Sequence, residues 1–164
     1  LSKKHFVDWL KRYSEEMQII NLRLEHMYGT KDDDNKFVSW FLSQLKRNVL
    51  EVKLTLGEQK RDFTYVDDVV SAFLTVLENG KTLPQFSEFE VGTGQSISVR
   101  DFSERLLFFY RKIDAGSKTK LLFGAIPYRK GEEMNVHVDT KNLQEIGWQA
   151  KVSLDEGLSK IVQE

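Results

Sequence analysis

The chain has 164 residues, 40% of them hydrophobic and 30% charged, an ordinary composition for a soluble globular protein of one domain. Its 24 basic and 25 acidic residues leave no net field that would draw nucleic acid or an anionic membrane surface. Without cysteine there are no disulfides or thiolate metal sites, which suits a cytoplasmic protein, and no apolar run approaches the roughly 18–20 residues of a membrane span.

Phe6, Trp9, Leu10, Tyr13 and Met17 recur at spacings of three and four, which predicts a helix over 1–17 with one apolar face. Since Leu1 already stands inside that pattern, the chain is expected to be a piece of something longer. Residues 18–24 are short, apolar and β-branched at the start, as in a buried strand. A loop is expected over 25–35. Its run Asp32-Asp33-Asp34-Asn35 lacks the spaced ligands and closing Glu of a calcium loop, so it reads as a solvated turn capping the next helix. That helix spans about 36–46, with Phe37, Trp40, Phe41 and Leu45 on one face.

A strand over 51–56 ends at Gly57 and is followed by a turn carrying Arg61-Asp62. Residues 63–66 are β-prone, and Asp67 is the expected N-cap of a helix over 67–79 that stops at Gly80. Another strand over 86–91 ends at Gly92-Thr93-Gly94. Ser98 with Asp101 is a capping-box-like start for a helix to about 113, and 121–123 is a short strand. A loop over 124–138 carries Pro127, Tyr128, Arg129 and Glu132-Glu133. A short helix over 140–146 stops at Gly147, and Ser153 with Glu156 opens the last one. Alternating strands and helices argue for an α/β fold with parallel pairing.

Arg61 offers a planar fork of donors suited to a phosphate, yet it could equally pair with Asp62 across the turn. His26, Arg61 and Arg129 each follow an apolar element on an expected loop. Brought together they would make a polyanion pocket; taken singly, each is a surface residue. Gly92-Thr93-Gly94 lacks the third glycine and the later acidic residue of a dinucleotide fingerprint, and fits a tight turn where backbone approaches another segment. His5, His26 and His137 have no metal-ligand spacing, so no metal site is expected, and no serine, histidine and acid form an identifiable triad.

The run Arg61-Asp62-Phe63-Thr64-Tyr65-Val66-Asp67-Asp68 resembles a signature of the extended short-chain dehydrogenase/reductase family, in its nucleotide-sugar epimerases and dehydratases. The resemblance covers essentially the whole chain. Ser2-Lys3 resembles the end of a Tyr-x-x-Ser-Lys segment, Leu22-Arg23…Tyr28-Gly29 the Leu-Arg-x-x-Asn-x-Tyr-Gly loop, and Phe89 to Gly94 the Phe-Asn-Val-Gly-x-Gly motif. Pro127-Tyr128-Arg129, Asp139, Gly147-Trp148 and Ser153 to Leu158 resemble the family's C-terminal substrate region. Within the family, residues 25–29 and 124–129 resemble enzymes of O-antigen sugar synthesis, including the CDP-abequose synthase type.

The resemblance implies a fold made of the last parallel strands of a Rossmann-type sheet plus a small α/β substrate-binding domain. Residues 1–29 and 66–95 would be the Rossmann-derived part, and 30–65 and 96–164 the nucleotide-sugar-binding part. Lys3 would be the catalytic lysine that orients the nicotinamide ribose and lowers the pKa of a tyrosine one helical turn earlier, before Leu1. Arg61 and Arg129 would hold the diphosphate of a nucleotide-sugar, and Leu56 would pack near the base. His26 stands where the family has an asparagine for the same phosphates, and Thr30 where proline is common.

The Gly-rich NAD loop and the catalytic tyrosine are not in this sequence, so the intact enzyme would use NAD or NADP while this fragment is expected to bind none tightly and to be inactive alone. Unpaired sheet edge at 19–24 and the helix over 1–17 lead to an expectation of self-association, as a homodimer. The alternative is a non-catalytic anion-binding or scaffold domain.

Overall fold

The computed structural model describes residues 2–163. Helix α1 (Ser2–Tyr13) is followed by β1 (Ile19–Leu24), β2 (His26–Tyr28), α2 (Phe37–Lys46) and β3 (Glu51–Lys53). Strands β4 (Lys60–Arg61) and β5 (Phe63–Tyr65) run straight into α3 (Val66–Asn79). Then come β6 (Phe86–Val91), β7 (Ile97–Ser98), α4 (Val99–Ile113), β8 (Lys120–Leu122), α5 (Lys141–Glu145) and α6 (Leu154–Gln163).

Strand pairing is parallel for β1 with β6, β2 with β5 and β3 with β8, as the alternation of strands and helices requires. The longest pair runs from Ile19 opposite Phe86 to Leu24 opposite Val91, so Glu25 and Gly92 leave it at the same, carboxyl, end. Only the short β4–β7 pair is antiparallel among the described residues.

Two apolar cores result. One gathers Phe41 and Leu45 of α2, Phe102 and Leu106 of α4, and Leu158 and Ile161 of α6 around Tyr28, Phe63 and Tyr65. Phe63 and Phe102 stack with ring centroids 3.9 Å apart. The other core packs Val69, Ala72 and Val76 of α3 on Phe89 and Val91 of β6, closed by Leu143 and Trp148. That helix is apolar on its outer side as well, where Leu74 is 55% and Leu77 72% exposed. Helix α1 buries no residue at all, and Phe6 and Trp9 are about as exposed as Leu74.

Several local expectations are corrected. The helix over 1–17 ends at Tyr13, and Leu1 lies outside the described residues. The loop over 25–35 contains β2, whose β structure is supplied by pairing with Phe63–Tyr65 rather than by its own sequence. Asp67 is not an N-cap: α3 already begins at Val66, its N-cap Tyr65 makes no side-chain cap bond, and Asp67 points outward to Lys160, 3.8 Å away. Its neighbour Asp68 is buried instead, and its carboxylate accepts the backbone N–H groups of Lys151 and Val152, both at 2.9 Å. This sews the C-terminal segment onto the start of α3.

The expected stop at Gly80 holds: α3 ends at Asn79 with Gly80 as its C-cap, at a φ of −49° rather than in a left-handed turn, and the chain continues into a 3₁₀ turn over Gly80–Thr82. The aspartates at 32–34 form a turn, but α2 has Lys36 as N-cap without a side-chain cap bond. Asp32 pairs with Lys36 Nζ at 2.7 Å. Ser98 does cap α4, its Oγ accepting the Asp101 N–H at 2.9 Å.

Candidate functional site: a cationic cleft with an apolar end

Arg61 belongs to β4 rather than to a turn, paired with Ile97 of β7, and Arg61 and Asp62 do not pair with each other. Consecutive residues of an extended segment face opposite ways. Asp62 turns inward, fully buried, and accepts the Thr93 N–H at 2.9 Å, the Thr93 hydroxyl at 2.7 Å and the Gly94 N–H at 2.7 Å. This explains the glycine turn after β6: a Cβ on Gly92 would stand 2.8 Å from Asp62 Oδ2 and from Val138 Cγ1. The close backbone approach read from the sequence is to Asp62 and Val138.

Arg61 turns the other way. Its Nη1 donates to the Lys60 carbonyl at 2.7 Å and its Nη2 to Glu132, and the side chain is almost wholly buried. It lines a cleft of about 630 Å³ together with His26, Arg129 and Glu132. Arg129 and Glu132 sit on one tight turn, closed by the Glu132 N–H on the Arg129 carbonyl at 3.1 Å, with Gly131 at a φ of 78°. His26 is carried by β2 and lies edge-on to Phe63, with centroids 5.9 Å apart. Burial first, and then the Arg61 charge, hold its imidazole below the ordinary histidine range.

Three of the residues singled out in the sequence, His26, Arg61 and Arg129, thus share one cleft. Lys53 adds positive charge to its walls, the charge of Lys36 is met by Asp32 beside it, and Phe37, Trp40, Leu54, Phe123 and Ile126 make the cleft apolar elsewhere. Such a lining offers donors to an anion beside a surface for a flat, apolar-faced group. Leu56 is not among the lining residues; it stands beside Gly124, and its carbonyl accepts Arg100 Nη2 at 2.9 Å. Lys3 is exposed on α1 and does not line the cleft either.

Glu25, Gln59 and Glu132 are cleft residues that the sequence did not single out. Glu132 was visible as part of an acidic pair on the loop, but nothing in the sequence joins it to a residue so far back along the chain. Gln59 had a local signal, standing two places before Arg61 in the same extended run, so that both face one side. Its Oε1 is buried without a hydrogen-bond partner among the described residues. Among those residues no group of three or more His, Asp or Glu is placed to hold a metal ion. Among the described residues no helix is long and apolar enough to cross a membrane.

The chain is therefore an α/β domain of parallel strand pairs that presents a cationic cleft beside the carboxyl end of its longest pair. It belongs to the NAD dependent epimerase/dehydratase family, whose model matches residues 1–92. It is 38% identical over 164 residues to the CDP-abequose synthase of Salmonella typhimurium, a match covering 99% of this chain and 54% of that protein. It is 28% identical over 145 residues to the dTDP-D-glucose 4,6-dehydratase of Mus musculus, covering 88% of this chain and 40% of the relative. The chain thus spans about half the length of the curated relatives it matches.

Among solved structures it resembles the UDP-glucose 4-epimerase of Thermotoga maritima with UDP-glucose, with a TM-score of 0.79 and 30% identity over 94% of this chain and 48% of the other. A UDP-glucose 4-epimerase from Thermus thermophilus in complex with NAD shares the fold at a TM-score of 0.82 and 24% identity, covering 99% of this chain and 51% of the other. These neighbours carry the Rossmann-type fold that the resemblance implied.

The glycine turn after β6 is not a free phosphate cradle. A phosphate cradle needs free backbone N–H groups at a glycine turn opening a helix. At Gly92-Thr93-Gly94 the N–H groups of Thr93 and Gly94 are already taken by Asp62.

Proposed function

We propose that the cleft binds a nucleotide-diphosphate sugar, and that this chain is the substrate-binding portion of an NAD(P)-dependent nucleotide-sugar epimerase, dehydratase or reductase. The observation that carries the reading is the meeting of Arg61, Arg129 and His26 on one cleft whose remaining wall is aromatic and aliphatic. Guanidinium forks suit the diphosphate, and the apolar wall suits the face of a base. The UDP-glucose held by the Thermotoga maritima epimerase supports the ligand class. The likeness to CDP-abequose synthase supports a place in surface-polysaccharide sugar synthesis, and the reading includes a cytoplasmic location.

In this reading Arg61 is preorganised. Its buried side chain is fixed by the Lys60 carbonyl and by Glu132, so little side-chain entropy is lost when phosphate oxygens engage its other N–H groups. Glu132 neutralises the buried guanidinium, and the incoming phosphates share or displace that carboxylate. Lys3, exposed on α1, would act only beside groups that this sequence does not supply. The 164-residue chain alone is accordingly expected to orient substrate without turning it over, and measured turnover by the purified chain would refute this. We also read the apolar face of α1 and the edge of β1, which pairs only with β6 among the described residues, as covered by a second copy.

Calorimetric titration with UDP- and CDP-sugars tests the pocket. Arg61→Ala and Arg129→Ala are each expected to weaken binding about tenfold or more, the worth of a charge-assisted hydrogen bond. Unchanged affinity in both variants would remove the site assignment.

A further inference from the structure

Glu25 is the first residue beyond the end of β1, at the carboxyl end of the parallel pair with β6, and it lines the cleft next to His26. Its side chain is only 26% exposed, yet among the described residues its carboxylate receives no hydrogen bond. The ion-pair contact it makes is with His26 Nδ1 at 3.9 Å, beyond hydrogen-bonding distance. The carboxylate has lost part of its hydration, water still reaches it, and no protein donor faces it, so a ligand that brings a donor finds an unoccupied acceptor.

The neighbouring carboxylates are engaged otherwise. Glu90 is held by Arg23 at 2.7 Å and by the Asp139 N–H at 2.8 Å, and Asp62 is held by the glycine turn. Arg23, the cation before Glu25 in the chain, is thereby drawn to Glu90. Burial pushes the Glu25 carboxyl above its ordinary range; the Arg23 charge opposes the shift, and the charges of Glu90, Glu133 and Asp62 add to it. Gln59 in the same cleft has its Oε1 buried without a partner among the described residues.

The order of groups along the cleft says what the donor is. Phe37, Trp40, Leu54, Phe123 and Ile126 provide the apolar part, whereas Glu25 lies toward Glu90 and Asp62 at the strand ends. Glu25 Oε2 stands 3.9 Å from His26 Nδ1, so with a diphosphate on His26, Arg61 and Arg129 the sugar joined to it comes within reach of Glu25. We infer that Glu25 accepts a hydrogen bond from a hydroxyl of the sugar and is a specificity-determining residue of the nucleotide-sugar site, an inference that rests on the function proposed above.

The test compares ligands with and without the sugar. Parent, Glu25→Ala and Glu25→Gln chains are titrated calorimetrically with UDP, UDP-glucose, CDP and CDP-glucose, with circular dichroism as the check on folding. Glu25→Ala is expected to weaken the glucose-bearing ligand about tenfold while leaving the bare diphosphate within about twofold. Glu25→Gln, which keeps one acceptor oxygen, is expected to recover part of the loss. Should Glu25→Ala fail to fold, Glu25→Gln decides by the same contrast. Equal losses for diphosphate and nucleotide-sugar, or no loss for either, overturn the Glu25 assignment and leave the pocket standing. If the parent binds none of the four ligands, the pocket itself falls and Glu25 with it.

Discussion

The carboxylate of Asp62 carries more of this structure than any other single charged group at the site, and Asp62→Ala measures how much. The substitution removes the acceptor for the N–H groups of Thr93 and Gly94 and for the Thr93 hydroxyl. The hydroxyl can settle on the Gln95 carbonyl, already 3.3 Å away, so its loss counts for little. The two N–H groups, on half-buried Thr93 and exposed Gly94, each lose a hydrogen bond to a charged group, worth about 1.5–3 kcal/mol. The expected destabilisation is therefore about 3–5 kcal/mol, a large share of the roughly 5–15 kcal/mol that holds a domain folded. For a chain of this length it corresponds to a fall in Tm of roughly 10 °C. Urea unfolding followed by far-ultraviolet circular dichroism provides the measurement, with Asp62→Asn as companion. The asparagine keeps one acceptor oxygen but sets its NH₂ against an N–H, so it is expected to fall between parent and alanine. A loss below about 1 kcal/mol for Asp62→Ala would refute the account of this turn.

Gly92→Ala places a methyl group 2.8 Å from both Asp62 Oδ2 and Val138 Cγ1, and is expected to destabilise by about 1–3 kcal/mol in the same unfolding assay. His26 adds a pH dependence of definite sign. Its imidazole titrates lower in the folded chain than in the unfolded one, so the unfolded chain binds more protons as pH falls through about 6.5, and stability drops there. Comparing parent with His26→Asn between about pH 7.5 and 5 should show the slope removed; identical slopes would contradict the lowered pKa. Phe6→Asp with Trp9→Asp on α1 is expected to shift the chain toward the monomer in light scattering, from a larger parent species. A monomeric parent would sink the self-association reading.

Elements whose own pattern determines them were readable in advance. In β6 Phe89 and Val91 stand two places apart on the buried face, with Gly92 marking the end of the strand, and Ser98 three places before Asp101 announces α4. Elements that exist because of a partner were not. His26–Tyr28 is a strand because Phe63–Tyr65 lies beside it, and Lys60–Arg61 because Ile97–Ser98 does. The two aspartates at the start of α3 show the same limit from the side-chain end. Both types suit a helix N-terminus, and only the position of Lys151 and Val152 in space decides that Asp68 is buried while Asp67 faces solvent. At the cleft, the cations stood out because an arginine after a strand has few structural reasons to be there. The acceptors Glu25 and Gln59 did not stand out, because what distinguishes them is the absence of a donor, which no sequence displays.

Arg61 and Asp62 show why adjacency in the sequence misled. Two opposite charges side by side invite a local ion pair, and a loose turn can bring them together. In extended backbone their side chains diverge, and each must find its partner elsewhere. Asp62 finds it in the turn after β6, and Arg61 finds it in Glu132, which lines the same cleft. The motif thus couples two places: the buried acid fixes the backbone whose next outward-facing fork is the cation. An arginine held in this way keeps its geometry without a ligand, which is the condition for recognising a diphosphate with little loss of entropy on binding. Moving the charge by one residue would invert both faces at once, burying the cation against two N–H donors and turning the acid toward the phosphates. The order Arg-Asp therefore follows from the strand it occupies, and Asp-Arg at 61–62 is incompatible with both the fold and the cleft.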